Sequence, residues 1–133
     1  MSNVRLGMSI PATRYIHAVR MRTKLIGILS EVFSHVDLLA VPATTVDAPP
    51  IDGKEVSIGP HQILDIRSAL TRFTRYFNIA GNPVLCVPCG LSTHRLPVGM
   101  QIVGRPFDEA TVLKAGHLFQ KAFPLDPPMP LIE

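Results

Sequence analysis

The residues of this chain that could do chemistry are few and widely spaced. Two cysteines form Cys86-Val87-Pro88-Cys89, a C-x-x-C arrangement that invites a dithiol–disulfide reading. That chemistry needs the first thiol at a helix N-terminus, where the dipole lowers its pKa; here Gly90 and a proline-containing connection follow instead. Buried, reduced thiols are the expectation. A zinc site would need two further ligands, which His61 or His94 could provide only if folding brought them together. No metal and no other cofactor is expected.

Asp108 and Glu109 form an adjacent carboxylate pair. Their position just before an apolar-periodic run makes them a helix cap and a dipole partner rather than an acid–base couple. Arg67, Arg72 and Arg75 lie in a helical pattern, where solvation or ion pairing outweighs recognition of an anionic substrate. His17, His35, His61, His94 and His117 find no serine in a Gly-x-Ser-x-Gly elbow to activate.

These residues must be positioned by alternating helices and strands. From Pro11, suited to a first helical turn, Tyr15, Ala18, Val19, Ile26, Leu29 and Phe33 recur at helical spacing and predict a helix over 11–34. Leu38–Val41 is too brief an apolar run for a helix and reads as a strand buried on both faces, with a parallel sheet as its natural host. Residues 43–59 read as a loop with turns, of a length that is often functional. A second helical pattern runs from Pro60 to Asn78 and stops at a turn containing Gly81 and Asn82-Pro83. Strands follow at Val84–Val87 and Val98–Val103, joined by a connection over 88–97. Asp108 then caps a helix over 109–123. The organisation is a tail over 1–10, one α/β unit over 11–123 and a Pro-rich tail over 124–133.

With 133 residues a single core is expected. The chain is 47% hydrophobic and only 17% charged, more apolar than a free-standing domain of this size requires, so part of its surface is expected to be covered by something else. Every apolar run is broken well short of the ~18 residues of a membrane span. The net charge of +3 comes mostly from the beginning of the chain, where Arg5, Arg14, Arg20, Arg22 and Lys24 all precede the first acid, Glu31. Such a stretch imitates a transit peptide, but the basic solvated face of a packed helix is the preferred reading. Basic residues are not interleaved with aromatics along a surface, so neither nucleic acid nor membrane is an expected partner.

Three motif groups stand in order: Asp37-Leu38-Leu39-Ala40-Val41-Pro42; Asn78-x-x-Gly81-x-Pro83 with Val87-Pro88-Cys89-Gly90; and Leu96-Pro97-Val98-Gly99-x-Gln101-x-x-Gly104. Tyr15, Ala18 and Arg22 precede them, and Arg105-Pro106-Phe107-Asp108-Glu109 follows. Together they resemble the C-terminal part of the amidase signature family. The resemblance implies an α/β fold in which this chain supplies strands of a mixed central sheet, covering helices and part of the substrate pocket wall.

It also implies amide hydrolysis by a nucleophilic Ser, a cis-Ser and a Lys, with a Ser/Gly-rich loop serving the oxyanion. The chain has no Gly-Gly-Ser-Ser run, and none of Lys24, Lys54, Lys114 or Lys121 stands in the family's catalytic context. No catalytic residue is therefore assigned, and the chain alone is expected to be inactive. The implied partners are an N-terminal amidase portion and, in the full enzyme, a small-molecule amide; a homo-oligomer is a further option and the implied setting is cytoplasmic. Thr71, Thr74 and Asn78 are the substrate-binding candidates, because the family's pocket segment precedes the Asn78 turn. Glutamine-dependent tRNA amidotransferases of the family carry an acidic residue where Thr71 stands, so a general amidase is favoured over the tRNA-modifying kind, an amidotransferase of A type. A standalone, non-catalytic binding module is the alternative from another functional class.

Overall fold

The computed structural model describes residues 3–60 and 62–124. Its elements are α1 (Asn3–Met8), α2 (Ala12–His35), β1 (Leu39–Pro42), β2 (Glu55–Ile58), β3 (Gln62–Asp65), α3 (Ile66–Thr71), α4 (Thr74–Ala80), β4 (Val84–Leu91), β5 (Pro97–Val103) and α5 (Glu109–Ala122). The leading segment, read from sequence as an aperiodic tail, thus carries a six-residue helix. The Pro-rich tail over 125–133 and His61 lie outside the described residues.

β1, β5 and β4 form a three-stranded sheet in that order, and both pairings are antiparallel. The parallel host expected for β1 is overturned. β4 and β5 are joined by a short hairpin turn over 92–96, and a connection that short can only link antiparallel neighbours. The strands are also not buried on both faces: β1 alternates half-buried and exposed residues, as an edge strand does. β4 continues to Leu91 through a bulge between Pro88 and Gly90, where the sequence suggests a connection.

Each sheet face has its own cluster. On one, Phe33 of α2 and Phe77 of α4 close over Val103. On the other, Val112 of α5 packs on Val87 and Ile102, with Met100 and Phe119 alongside. Gly116 brings α5 close to β4, since a methyl group there would collide with the Leu85 side chain.

The stretch over 43–78 departs most from expectation. β2 and β3 pair as an antiparallel hairpin around Gly59, whose φ of 62° suits glycine. The helix expected from Pro60 therefore begins only at Ile66, where Asp65 accepts a hydrogen bond from the Ser68 amide at 2.9 Å. Val56, Ile58 and Ile63 are β-branched, and their alternation serves a strand as readily as their spacing serves a helix. At Arg72–Phe73 the helix is interrupted although both residues keep right-handed helical dihedrals. Thr71 and Thr74 donate their hydroxyls to the carbonyls of Arg67 and Thr71, an alternative to the backbone ladder that loosens it there.

α2 makes few contacts for its length. Phe33 is its buried residue, whereas Tyr15, Ile16, Val19 and Ile28 are exposed, Ile28 at 63%. Among the described residues no helix is long and apolar enough to cross a membrane.

Candidate functional site

Thr71 ends α3, Thr74 opens α4 and Asn78 lies one turn further on. Their spacing of three and four, with helical dihedrals kept at Arg72 and Phe73, sets them along one helical face. The two threonines are half-buried and Asn78 is exposed. Below them the segment is anchored by Gly81, whose φ of 89° lets its amide bond the Phe77 carbonyl at 2.8 Å. Asn82 then donates to the Gly104 carbonyl at 2.8 Å, holding the turn against the end of β5.

Both thiols are free and exposed, which corrects the expectation of buried cysteines. They sit on β4, an edge strand, so neither occupies the helix N-terminus that dithiol chemistry uses. Cys89 lies at the bulge with Sγ 3.6 Å from the Val98 carbonyl. Asp108 caps α5 by accepting from the Thr111 amide, and Glu109 occupies the first turn, the structural role foreseen for the pair.

A second constellation escapes sequence reasoning. His94 Nδ1 lies 2.8 Å from Asp47 Oδ2, joining the β4–β5 turn to the loop after β1. Hydrogen bonding by His94, with a smaller influence of the neighbouring Ser92 hydroxyl, holds that carboxyl below the ordinary aspartate value. Ser92 Oγ in addition accepts from the amides of His94 and Leu96. No periodicity or motif links positions 47 residues apart, and only the hairpin turn brings them together. The imidazole of His94 is engaged by Asp47 through Nδ1 while Ser92 Oγ meets the backbone amides of His94 and Leu96, so the two side chains do not form the serine–histidine hydrogen bond that activates a nucleophile. Among the described residues no three or more His, Cys, Asp or Glu side chains group as metal ligands.

Asp47 and Ser92 face a cavity of about 460 Å³ whose apolar wall includes Val41, Pro42 and Met100. Thr71, Thr74 and Asn78 do not line it. The two regions are nevertheless connected, because Thr45 in the cavity wall donates its hydroxyl to the Ala69 carbonyl of α3 at 2.9 Å.

A family sequence model described as Amidase matches residues 3–113. An amidase of Pseudomonas putida is 36% identical over 120 residues, covering 90% of this chain and 25% of that protein. A glutamyl-tRNA(Gln) amidotransferase of A type from Chloroflexus aurantiacus is 41% identical over 107 residues, covering 80% of this chain and 20% of that one. The fold superimposes on a crystal structure of an amidase with a TM-score of 0.82 and 28% identity, over 88% of this chain and 26% of the other. The chain thus spans a fifth to a quarter of the length of these relatives. The match covers the sheet, the helices on both of its faces and the Asn78 turn together, and the chain belongs to the amidase signature family.

Proposed function

We propose that this chain acts as the C-terminal portion of an amide hydrolase, contributing sheet, helices and one wall of the substrate pocket. The nucleophilic Ser, the cis-Ser and the Lys of the family's mechanism are then supplied by a portion beyond these 133 residues. The observation that carries this reading is the match over residues 3–113 to a family in which two similar members are covered to only 20% and 25% of their length. The exposed apolar residues of α2, Ile16, Val19 and Ile28 among them, support it as surface for that portion to cover. Thr71, Thr74 and Asn78 act as pocket-wall residues, on the strength of their shared helical face beside the Asn78 turn. A cytoplasmic setting goes with this reading.

A tRNA amidotransferase of A type is the second reading, favoured by the 41% identity to the Chloroflexus protein. Thr71 weighs against it, because a hydroxyl offers an ammonium-bearing substrate no counter-charge. The test is co-expression with the N-terminal portion of a family amidase. The proposal expects a stable complex that hydrolyses simple amides and weakens when Thr71, Thr74 or Asn78 is replaced by a bulkier residue. Failure of the portions to associate would favour a standalone, non-catalytic module.

A further inference from the structure

The cavity beside Asp47 has a donor and acceptor inventory that selects a ligand class. Four of its lining residues carry a side-chain hydrogen-bond donor, and three of these donors are already engaged within the protein. Thr44 donates to the Val46 carbonyl at 2.6 Å and Thr45 to the Ala69 carbonyl at 2.9 Å. The Cys89 thiol is directed at the Val98 carbonyl, and Ser92 Oγ serves as acceptor to the amides of His94 and Leu96. What remains for a guest is chiefly a set of acceptors: the threonine oxygens and the lone pairs of Asp47 not used by His94, since a carboxylate accepts about four hydrogen bonds.

Charge points the same way. Asp47 is held in its anionic form, and its side chain is only 22% exposed. The rest of the wall is largely apolar, with Val98 and Met100 among its lining residues. An anionic guest would be repelled, and a neutral apolar one would strip water from the carboxylate without replacing it. The volume of about 460 Å³ lies within the range of small-molecule sites.

We propose that this cavity binds a primary ammonium ion carrying a compact apolar body, such as an arylmethylammonium, with its N–H groups on Asp47 and the threonine oxygens and its body against Val98 and Met100. The site is assigned from this chain's residues alone and neither requires nor follows from the amide-hydrolase reading.

Cys89 lines the cavity and Cys86 does not, while both thiols are exposed, so the protein carries its own reporter and control. The experiment measures iodoacetamide alkylation of each cysteine by peptide mass spectrometry at about pH 8, above the range in which imidazoles are ordinarily charged. Benzylammonium is compared with its neutral counterpart, benzyl alcohol. Benzylammonium is expected to slow labelling of Cys89 saturably and leave Cys86 unchanged. Benzyl alcohol and the Asp47→Asn variant are each expected to need about tenfold more ligand for equal protection, as loss of one charge-assisted contact implies. Equal protection by the two ligands, equal slowing at both cysteines, or no protection of Cys89 would overturn the assignment. The two-ligand comparison on the unaltered protein decides the matter even if Asp47→Asn does not fold.

Discussion

The guanidinium of Arg105 closes on the carbonyl oxygen of Phe33, with Nε at 3.2 Å and Nη2 at 3.0 Å. Nη2 also reaches the Val36 carbonyl and Asp37 Oδ1, each at 3.1 Å. A helix leaves its last carbonyls without intrahelical partners and favours positive charge at that end; one side chain after β5 meets both needs of α2. Arg105→Ala is expected to lower stability by about 1–2 kcal/mol, chiefly through the carbonyl contacts, because an ion pair as exposed as that with Asp37 adds little. Arg105→Lys should recover only part of the loss, since an ammonium lacks the planar fork. Thermal unfolding by circular dichroism checks both, and an unchanged transition in Arg105→Ala would contradict the capping role.

Gly81 makes a comparable prediction in the turn that Asn82 ties to Gly104, the residue before Arg105. Its φ of 89° closes α4 and starts the turn into β4. No atom would obstruct a methyl group there, so the cost of Gly81→Ala is purely one of backbone conformation. A loss of about 1–2 kcal/mol is expected, measurable by denaturant unfolding with an unchanged slope.

Asp47 predicts an acid limb in the stability profile. Hydrogen bonding by His94, with a smaller influence of Ser92, lowers its folded-state pKa, so its contribution is present above the ordinary aspartate range and is lost as pH falls through the lowered value. Asp65 acts in the same direction, through its hydrogen bonds with the side chain and amide of Ser68. Carboxyl titration by NMR should find both midpoints below the usual aspartate value. In Asp47→Asn the loss of stability on acidification should be shallower, and an unaltered profile would show that the His94 contact contributes nothing.

The exposure of Cys86 and Cys89 makes a stoichiometric prediction. Both thiols should react with Ellman's reagent in the native protein under non-reducing conditions. Reaction only after denaturation would restore the buried placement expected from sequence.

Legibility in the sequence varies with how many independent signals mark each element. α5 lies within one residue of its expected bounds because Asp108, an apolar stripe and Pro124 all mark it. β4 and β5 are legible as strands, but their direction depends on how short the hairpin turn is, which an apolar run does not reveal. β3 is hidden because the spacing from Ile63 to Ile66 fits a helix, whereas Asp65 divides strand from helix. Exposure of the cysteines follows from the edge position of β4 and the bulge at Pro88, neither of which periodicity reveals. The Asp47–His94 contact is a product of topology alone: the loop after β1 reaches the hairpin turn because β1 lies beside β5. Thr71, Thr74 and Asn78 are located through the family motif, and the interruption at Arg72 is invisible because threonine hydroxyls bonding backward leave no trace in hydrophobic spacing.

The central claim is that this chain provides scaffold and pocket wall without a nucleophile of its own. Its most direct test is hydrolysis of a panel of aliphatic and aryl amides by the purified chain alone, with a serine-directed covalent probe run in parallel. The predicted result is turnover at background and no stoichiometric labelling, because positioning a substrate leaves bond formation uncatalysed. Turnover that disappears when one of the chain's own Ser or Cys residues is replaced, or stoichiometric labelling of such a residue, would contradict the account.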